Sequence, residues 1–205
     1  MNRSFPFRYW LPLLLAANVY AAEPLRTVLK PEHAKALASA EEGMKRAASV
    51  HAKSGQTDHV KVAKEVLSLL AMRRMEIPPA LKLVGKWRVR SLQVGDLGAF
   101  AYPFFDCEFR QEGEAGVIFQ KDSGSQRRIG IVGADAPGGL LFVGGSYYAD
   151  EEGAGGYSAL QEDSVKTDPE RDSVGHIYQV GQGHLIILFA PTRYGREMYE
   201  LKNGK

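Results

Sequence analysis

Residues 99–109 read Ala99-Phe100-Ala101-Tyr102-Pro103-Phe104-Phe105-Asp106-Cys107-Glu108-Phe109. Aromatic side chains fall at 100, 102 and 104, and apolar ones then fall at 105, 107 and 109. Alternation with period two signals a strand, and the change of parity at Phe104-Phe105 predicts a bulge within it. Cys107 shares one side of the pleat with Phe105 and Phe109, which is the setting of a buried thiol. Asp106 and Glu108 point the other way, to solvent. Further candidate strands lie on either side, at Lys86–Val94, Gly116–Lys121, Arg128–Val132, Leu140–Gly144, Gly175–Val180, His184–Ala190 and Met198–Leu201. About eight short strands separated by turn residues, with no βαβ rhythm, predict an antiparallel barrel or sandwich.

Upstream the composition changes. Residues 22–80 contain no Phe, Tyr or Trp and only two glycines, Gly43 and Gly55, whereas residues 81–205 hold twenty glycines and fifteen aromatics. The earlier part is rich in the helix formers Ala, Lys, Glu and Leu. Pro31 suits the first turn of a helix. Leu37, Ala40, Met44, Ala47, Ala48 and His51 then recur at steps of three and four, on one helix face. Ser54-Gly55-Gln56-Thr57-Asp58 breaks the pattern, and Asp58 is placed to cap a second helix. Val60, Ala63, Val66, Leu67 and Leu70 form its stripe, and Ile77-Pro78-Pro79 ends it. An α-hairpin with so narrow a seam must pack on the strand-rich region downstream. The expected fold is α+β: a helical hairpin over 22–80 against an antiparallel β-barrel or sandwich over 81–205.

The first residues read as an address. Arg3 and Arg8 precede the apolar run Leu11-Pro12-Leu13-Leu14-Leu15-Ala16-Ala17, and Val19-Tyr20-Ala21 offers a cleavage site after Ala21. This is the order of a secretory signal, residues 1–21, and the run is far short of the roughly 20 residues of a spanning helix. No cysteine follows for a lipid anchor, and no twin arginine precedes the run. The chain is expected to be periplasmic or secreted, with no membrane span. Cleavage takes two bases, Arg3 and Arg8, from 26 basic residues and nothing from 24 acidic ones, so the processed chain is neutral. A neutral chain lacks the electrostatic footprint of a nucleic-acid binder and a polybasic face for anionic lipid. A single cysteine, Cys107, excludes an internal disulfide framework and an all-cysteine metal site.

No sequence motif of a known catalytic class is present: no G-x-S-x-G elbow, no phosphate-binding loop and no dinucleotide fingerprint. No catalytic residue, cofactor or metal is assigned. His176 and His184 flank Gly181-Gln182-Gly183. A turn centred on 182 leaves them roughly 13 Å apart at about 3.3 Å per residue, and a turn centred between 181 and 182 puts them on opposite faces. His51 and His59 read as helix surface or seam. The densest polar cluster is Lys121-Asp122-Ser123-Gly124-Ser125-Gln126-Arg127-Arg128. A glycine-bearing loop with two arginines can hold an anion, a carboxylate or a carbohydrate, and a solvated hairpin turn has the same composition. The candidate binding residues are Lys121, Ser125, Gln126 and Arg127. Residues 149–172 form a long acidic connection rich in glycine, suited to a partner-binding lid, to a calcium-attracting surface without an EF-hand pattern, or to plain solvation.

Gly85-Lys86-Trp87, directly after the helices, resembles the Gly-x-Trp of lipocalin-like barrels. That implies structural roles for Gly85 and Trp87, with Trp87 packed across the barrel floor beside a late arginine, Arg193 or Arg196. A second resemblance covers more of the chain. Tyr102-Pro103-Phe104-Phe105-Asp106-Cys107, Phe119-Gln120-Lys121 and Gly124-Ser125-Gln126-Arg127 with Gly130 resemble the DUF4893 family, a proteobacterial family of exported proteins. Gly85–Arg90, Arg171-Asp172 with Gly175, and Glu200-Leu201 sit at comparable stations, so the resemblance covers residues 30–201. It implies an exported location and a whole-chain architecture, and no activity.

The expected function is a non-catalytic, small-molecule-binding or inhibitory β-barrel. Lipocalin-like inhibitors insert an extended N-terminal segment and carry a disulfide; this chain has a helical N-terminus and one cysteine. The alternatives are an envelope protein that binds or scaffolds a protein partner, and a hydrolase centred on Ser125.

Overall fold

The structure is a computed structural model that describes residues 24–113, 116–135, 138–151, 155–161, 168–193 and 195–204. The signal-like segment 1–21 lies outside the described residues. Among the described residues nine strands follow three α-helices: β1 (Gly85–Gly95), β2 (Gly98–Ala101), β3 (Phe105–Glu112), β4 (Gly116–Lys121), β5 (Gln126–Asp135), β6 (Gly139–Tyr148), β7 (Asp172–Gly181), β8 (His184–Phe189) and β9 (Arg196–Asn203). All pair antiparallel in the order β2-β1-β3-β4-β5-β6-β7-β8-β9, and β1 also pairs with β9, from Trp87↔Asn203 to Val94↔Arg196. That pairing closes the sheet, so the fold is a barrel and not a sandwich. Leaving out β2, eight strands form the ring.

The aromatic stretch at 99–109 makes two strands instead of one bulged strand. β2 pairs with Leu92–Gly95 and β3 with Gly85–Val89, on the same edge of β1. Tyr102-Pro103-Phe104 bridges them. Proline has no N–H for the ladder, so the parity change is absorbed as a break. Tyr102 N still donates to Ser91 O at 2.9 Å.

The helices are α1 (Pro31–Ala38), α2 (Ala40–His51) and α3 (Thr57–Ala71). The expected first helix is split at Ser39 (φ −99°, ψ 1°), whose hydroxyl donates to Ala36 O; serine favours such local bonds over helix continuation. Asp58 does not cap α3. Gln56 holds that position without a side-chain bond, and Asp58 sits in the first turn, where a carboxylate meets the positive end of the helix dipole. Met44, Ala48, Ala63, Val66 and Leu70 pack on Leu92, Val94, Ile186 and Met198 outside the barrel. His51 Nε2 lies 2.8 Å from Gly95 O and His59 Nδ1 2.9 Å from Ala99 O, tying the helices to the β1–β2 turn. A second outer cluster covers β5, β6 and β7, where Leu25 and Leu37 meet Ile131, Leu141, Val143 and Tyr157.

The bore is full. A chain of ring contacts runs Trp87–Phe109 (5.7 Å), Phe109–Phe119 (5.1 Å), Phe119–Phe142 (5.9 Å), Phe142–Phe189 (5.8 Å) and Phe189–Tyr199 (4.9 Å). Three inward positions, Gly130, Gly144 and Gly175, carry no side chain; a Cβ would lie 2.7 Å from Phe142 Cε2 at Gly130, 3.0 Å from Phe189 Cδ1 at Gly175, and 2.1 Å from Ile129 O at Gly144. Gly85 opens β1 at φ +140°, a conformation that L side chains rarely adopt. The short 3₁₀ turn Ala80–Leu83 closes the floor, and Trp87 Nε1 donates to Leu83 O at 2.9 Å. The late arginines are not beside Trp87. Arg196 pairs with Val94 at the other end of the barrel, and Arg193 pairs with Glu170 at 2.8 Å. The ring partner Phe109 and the Leu83 carbonyl satisfy the tryptophan instead.

Candidate binding site at the barrel mouth

The alternation that builds the floor also builds the mouth. Trp87 and Val89 face inward on β1, and two and four residues later Ser91 and Gln93 take the same face at the opposite end. β4 contributes Lys121, β5 Arg128, β7 Ser173 and β9 Glu197. Above the aromatic core the lining is therefore polar.

Arg128 Nη2 donates to Glu197 Oε2 at 2.6 Å, and its Nε donates to Ser173 Oγ at 2.9 Å. The guanidinium lies 3.9 Å from the Phe189 ring centre and 4.9 Å from that of Tyr199. Glu197 Oε1 accepts from Ser91 Oγ at 2.5 Å and from Gln93 Nε2 at 3.4 Å. Burial alone would raise the Glu197 pKa. Arg128, by charge and hydrogen bond, overrides it with help from Ser91 and Gln93, and holds the carboxyl below its ordinary range. Arg128 has its pKa raised: desolvation opposes the charge, and Glu197 and Tyr199 more than offset it.

Lys121 is only 3 % exposed. Its ammonium donates to Ser123 O at 2.6 Å and to Gln126 O, and lies 4.9 Å from the Phe105 ring centre. Desolvation lowers its pKa, and the Arg128 and Arg127 charges push the same way against Glu197 and Cys107.

Beside this lysine is a cavity of about 170 Å³, lined by Ser91, Tyr102, Phe105, Lys121, Gly124, Ser125, Gln126 and Tyr199. Three of the four binding residues expected from sequence, Lys121, Ser125 and Gln126, come together there. Arg127 does not line it; its Nε donates back to Gly124 O at 3.1 Å. Cys107 is buried at 5 % exposure, as its alternation predicts. A larger hollow of about 620 Å³ lies outside the barrel. Five consecutive residues, Met72 to Glu76, and Val180 line it, and among the described residues no set of polar groups from several elements converges there.

The sequence model of Domain of unknown function (DUF4893) matches residues 25–198. The chain belongs to the DUF4893 family. The matched span begins at Leu25, buried under β5, and ends at Met198 in β9. In this DUF4893 chain the span takes in the helices, the floor and every mouth residue named above except Tyr199. No curated protein and no solved structure matches the chain.

None of the five histidines is placed at Ser125. His33 Nδ1 meets Tyr157 Oη at 2.7 Å, His51 and His59 hold the β1–β2 turn, His176 faces Asp135 at 3.5 Å and His184 faces Glu200 at 2.8 Å. The β7–β8 turn is Gln182-Gly183, with Gly181 opposite His184 and a register shift behind it. From Gln179↔Leu185 to Gly175↔Phe189 the ladder follows the register centred on 182; only the end differs, where the shift leaves Val180 unpaired and puts His184 opposite Gly181. The acids of the 149–172 connection that are described are mostly engaged: Glu151 and Asp168 with Arg171, Glu170 with Arg193, and Asp172 with Lys30.

Sequence reasoning missed Ser91, Tyr102, Phe105, Arg128, Glu197 and Tyr199. They come from several separate segments: Arg128 stands opposite Lys121 in the β4–β5 hairpin, Phe105 lies on the neighbouring β3, and closure of the ring adds Glu197 and Tyr199 from β9. A usable signal did exist: Ser91, Lys121, Arg128 and Glu197 are polar residues at positions whose alternation points into the core.

Proposed function

We propose that this DUF4893 chain is an exported, non-catalytic binding barrel that takes a small polar molecule at its mouth. The observation that carries the reading is the 170 Å³ cavity in which Lys121, Ser125, Gln126 and Ser91 converge between the rings of Phe105, Tyr102 and Tyr199. Small-molecule sites share this make-up of aromatic walls with a few convergent polar groups. The full bore argues against a lipid or a pigment within the barrel. The helices argue against inhibition by an inserted N-terminal segment, since Leu25, Leu37 and Met44 are buried. Catalysis at Ser125 is disfavoured because none of the five histidines is placed there to activate it. Export rests on the Arg3, Arg8, Leu11–Ala17 and Val19-x-Ala21 pattern.

Native and denaturing mass spectrometry of protein recovered from a periplasm tests both parts. A mature mass beginning at Ala22, with a small added mass present only under native conditions, is the expected result. An unprocessed chain removes export. A bare native mass, together with no thermal shift across a panel of small polar compounds, removes binding.

A protein partner is the second reading. At the β1–β2 turn Leu97 is 89 % exposed, with Phe100 nearby at 41 %. Crosslinking in cells that returns only monomer rejects it.

A further inference from the structure

The mouth carries one positive charge too many. Arg128 and Glu197 neutralise each other at 2.6 Å. Lys121 is as deeply buried, yet its bonded partners among the described residues are two backbone carbonyls and a ring face. Carbonyl dipoles solvate an ammonium without cancelling its charge. An ammonium has three N–H donors, and the Ser123 and Gln126 carbonyls take two of them. The third is free for an acceptor in the cavity that Lys121 lines.

We infer that the cavity binds a small monocarboxylate, its carboxylate on the Lys121 ammonium and its hydrocarbon part between Phe105 and Tyr199. This rests on the mouth-binding reading above and names the ligand class. One uncompensated charge matches a monoanion; a phosphate dianion would leave a surplus negative charge beside Glu197. Charge-assisted bonds to a carboxylate are among the stronger hydrogen bonds. Size sets the rest. A cavity of about 150 Å³ admits benzene, and this one is about 170 Å³. On that scale a ligand of roughly seven to nine non-hydrogen atoms fills it, and a fatty acid does not fit.

The test uses the full processed chain and two probes of equal size and different charge, benzoate and benzamide, with inorganic phosphate as a third. Affinity is read by calorimetry and location by backbone amide shifts. Benzoate is expected to bind at least about ten-fold more tightly than benzamide, to shift amides over 121–126, and to lose that preference in Lys121→Met. The comparison of ligands on the unaltered chain stands even if that variant fails to fold. Equal binding of benzamide at the mouth overturns the carboxylate assignment and leaves mouth binding in place. Tighter binding of phosphate overturns the monoanion assignment. Shifts confined to another surface, or no binding of any probe at millimolar concentration, overturn this inference. Mouth binding itself falls only if the native mass is also bare.

Discussion

Arg128 and Glu197 meet across the whole width of the barrel. Their strands, β5 and β9, lie four places apart in a ring of eight, so they are diametrically opposed, yet Nη2 and Oε2 are 2.6 Å apart. The pair forms a bar between the aromatic core and the mouth cavity. Above it are Ser91, Lys121 and the hairpin turn; below it are Phe119, Phe142 and Phe189.

Breaking this bar from one side is expected to be costly. Removing one partner of a buried pair strands the other charge, at about 3–5 kcal/mol. Glu197→Leu and Arg128→Met should each lower stability by that order in urea unfolding. The double variant should recover much of the loss, because no charge is then left unpaired. Additive single effects would show that the two side chains act independently.

The same pair sets an acid limit. The folded-state pKa of Glu197 lies below its ordinary value of 4.5. A depressed carboxylate contributes stability that is present above that value and is lost as pH falls through the lowered one. Glu200, held below 4.5 by Arg90 and Lys202 against its own burial, acts in the same window. Melting temperatures should therefore fall below about pH 4.5, and Glu197→Gln should flatten that slope. Lys121 acts at the alkaline end. Its lowered pKa marks a disfavoured charge, so its contribution improves as pH rises from the lowered value to 10.5. Lys121→Met should remove that alkaline gain.

These groups also show what the amino-acid sequence makes legible. The strands could be read because alternation and turn residues are local signals. Closure could not, because the pairing of Trp87–Val94 with Arg196–Asn203 joins the two ends of the strand-rich region. Lys121, Ser125 and Gln126 could be read as a group because one hairpin carries them. Ser91 and Glu197 could not, since they lie on strands remote in sequence from that hairpin, and Glu197 joins it through the closing pair of β1 with β9. Arg127 fell on the wrong side for a related reason: one residue along a strand reverses the face. The neighbouring Arg128 is the arginine that turns inward.

The three inward glycines of the bore define a packing limit. A Cβ at Gly144 would lie 2.1 Å from Ile129 O and 2.5 Å from Gly130 Cα, both backbone atoms of the paired strand. Gly144→Ala should therefore destabilise by about 1–3 kcal/mol or more, seen as a lower urea midpoint with unchanged slope. Gly55 is the control. A Cβ there meets nothing within 4 Å, and Gly55→Ala should stay within about 0.5 kcal/mol of the unaltered chain.

Cys107 offers a probe of whether the bore opens. Its thiol lies inside the barrel at 5 % exposure, beside Phe109 and Trp87 in the same core. Burial raises its pKa well above the ordinary thiol value, and the nearby carboxylates Asp106, Asp122 and Glu108 add to that against Lys121. The thiolate is the reactive form, so the native thiol is both shielded and protonated. At pH 8 a disulfide reagent should modify the folded protein at least about a hundred-fold more slowly than the urea-unfolded chain, since the native thiol must be both exposed and ionised before it reacts. The residual rate should follow urea concentration in parallel with global unfolding, because no smaller motion exposes a side chain wedged among lumen aromatics. Rapid labelling in the absence of urea, with the fold intact by circular dichroism, would mean that the ring breathes open between strands. Such a barrel could admit ligands into its bore as well as at its mouth.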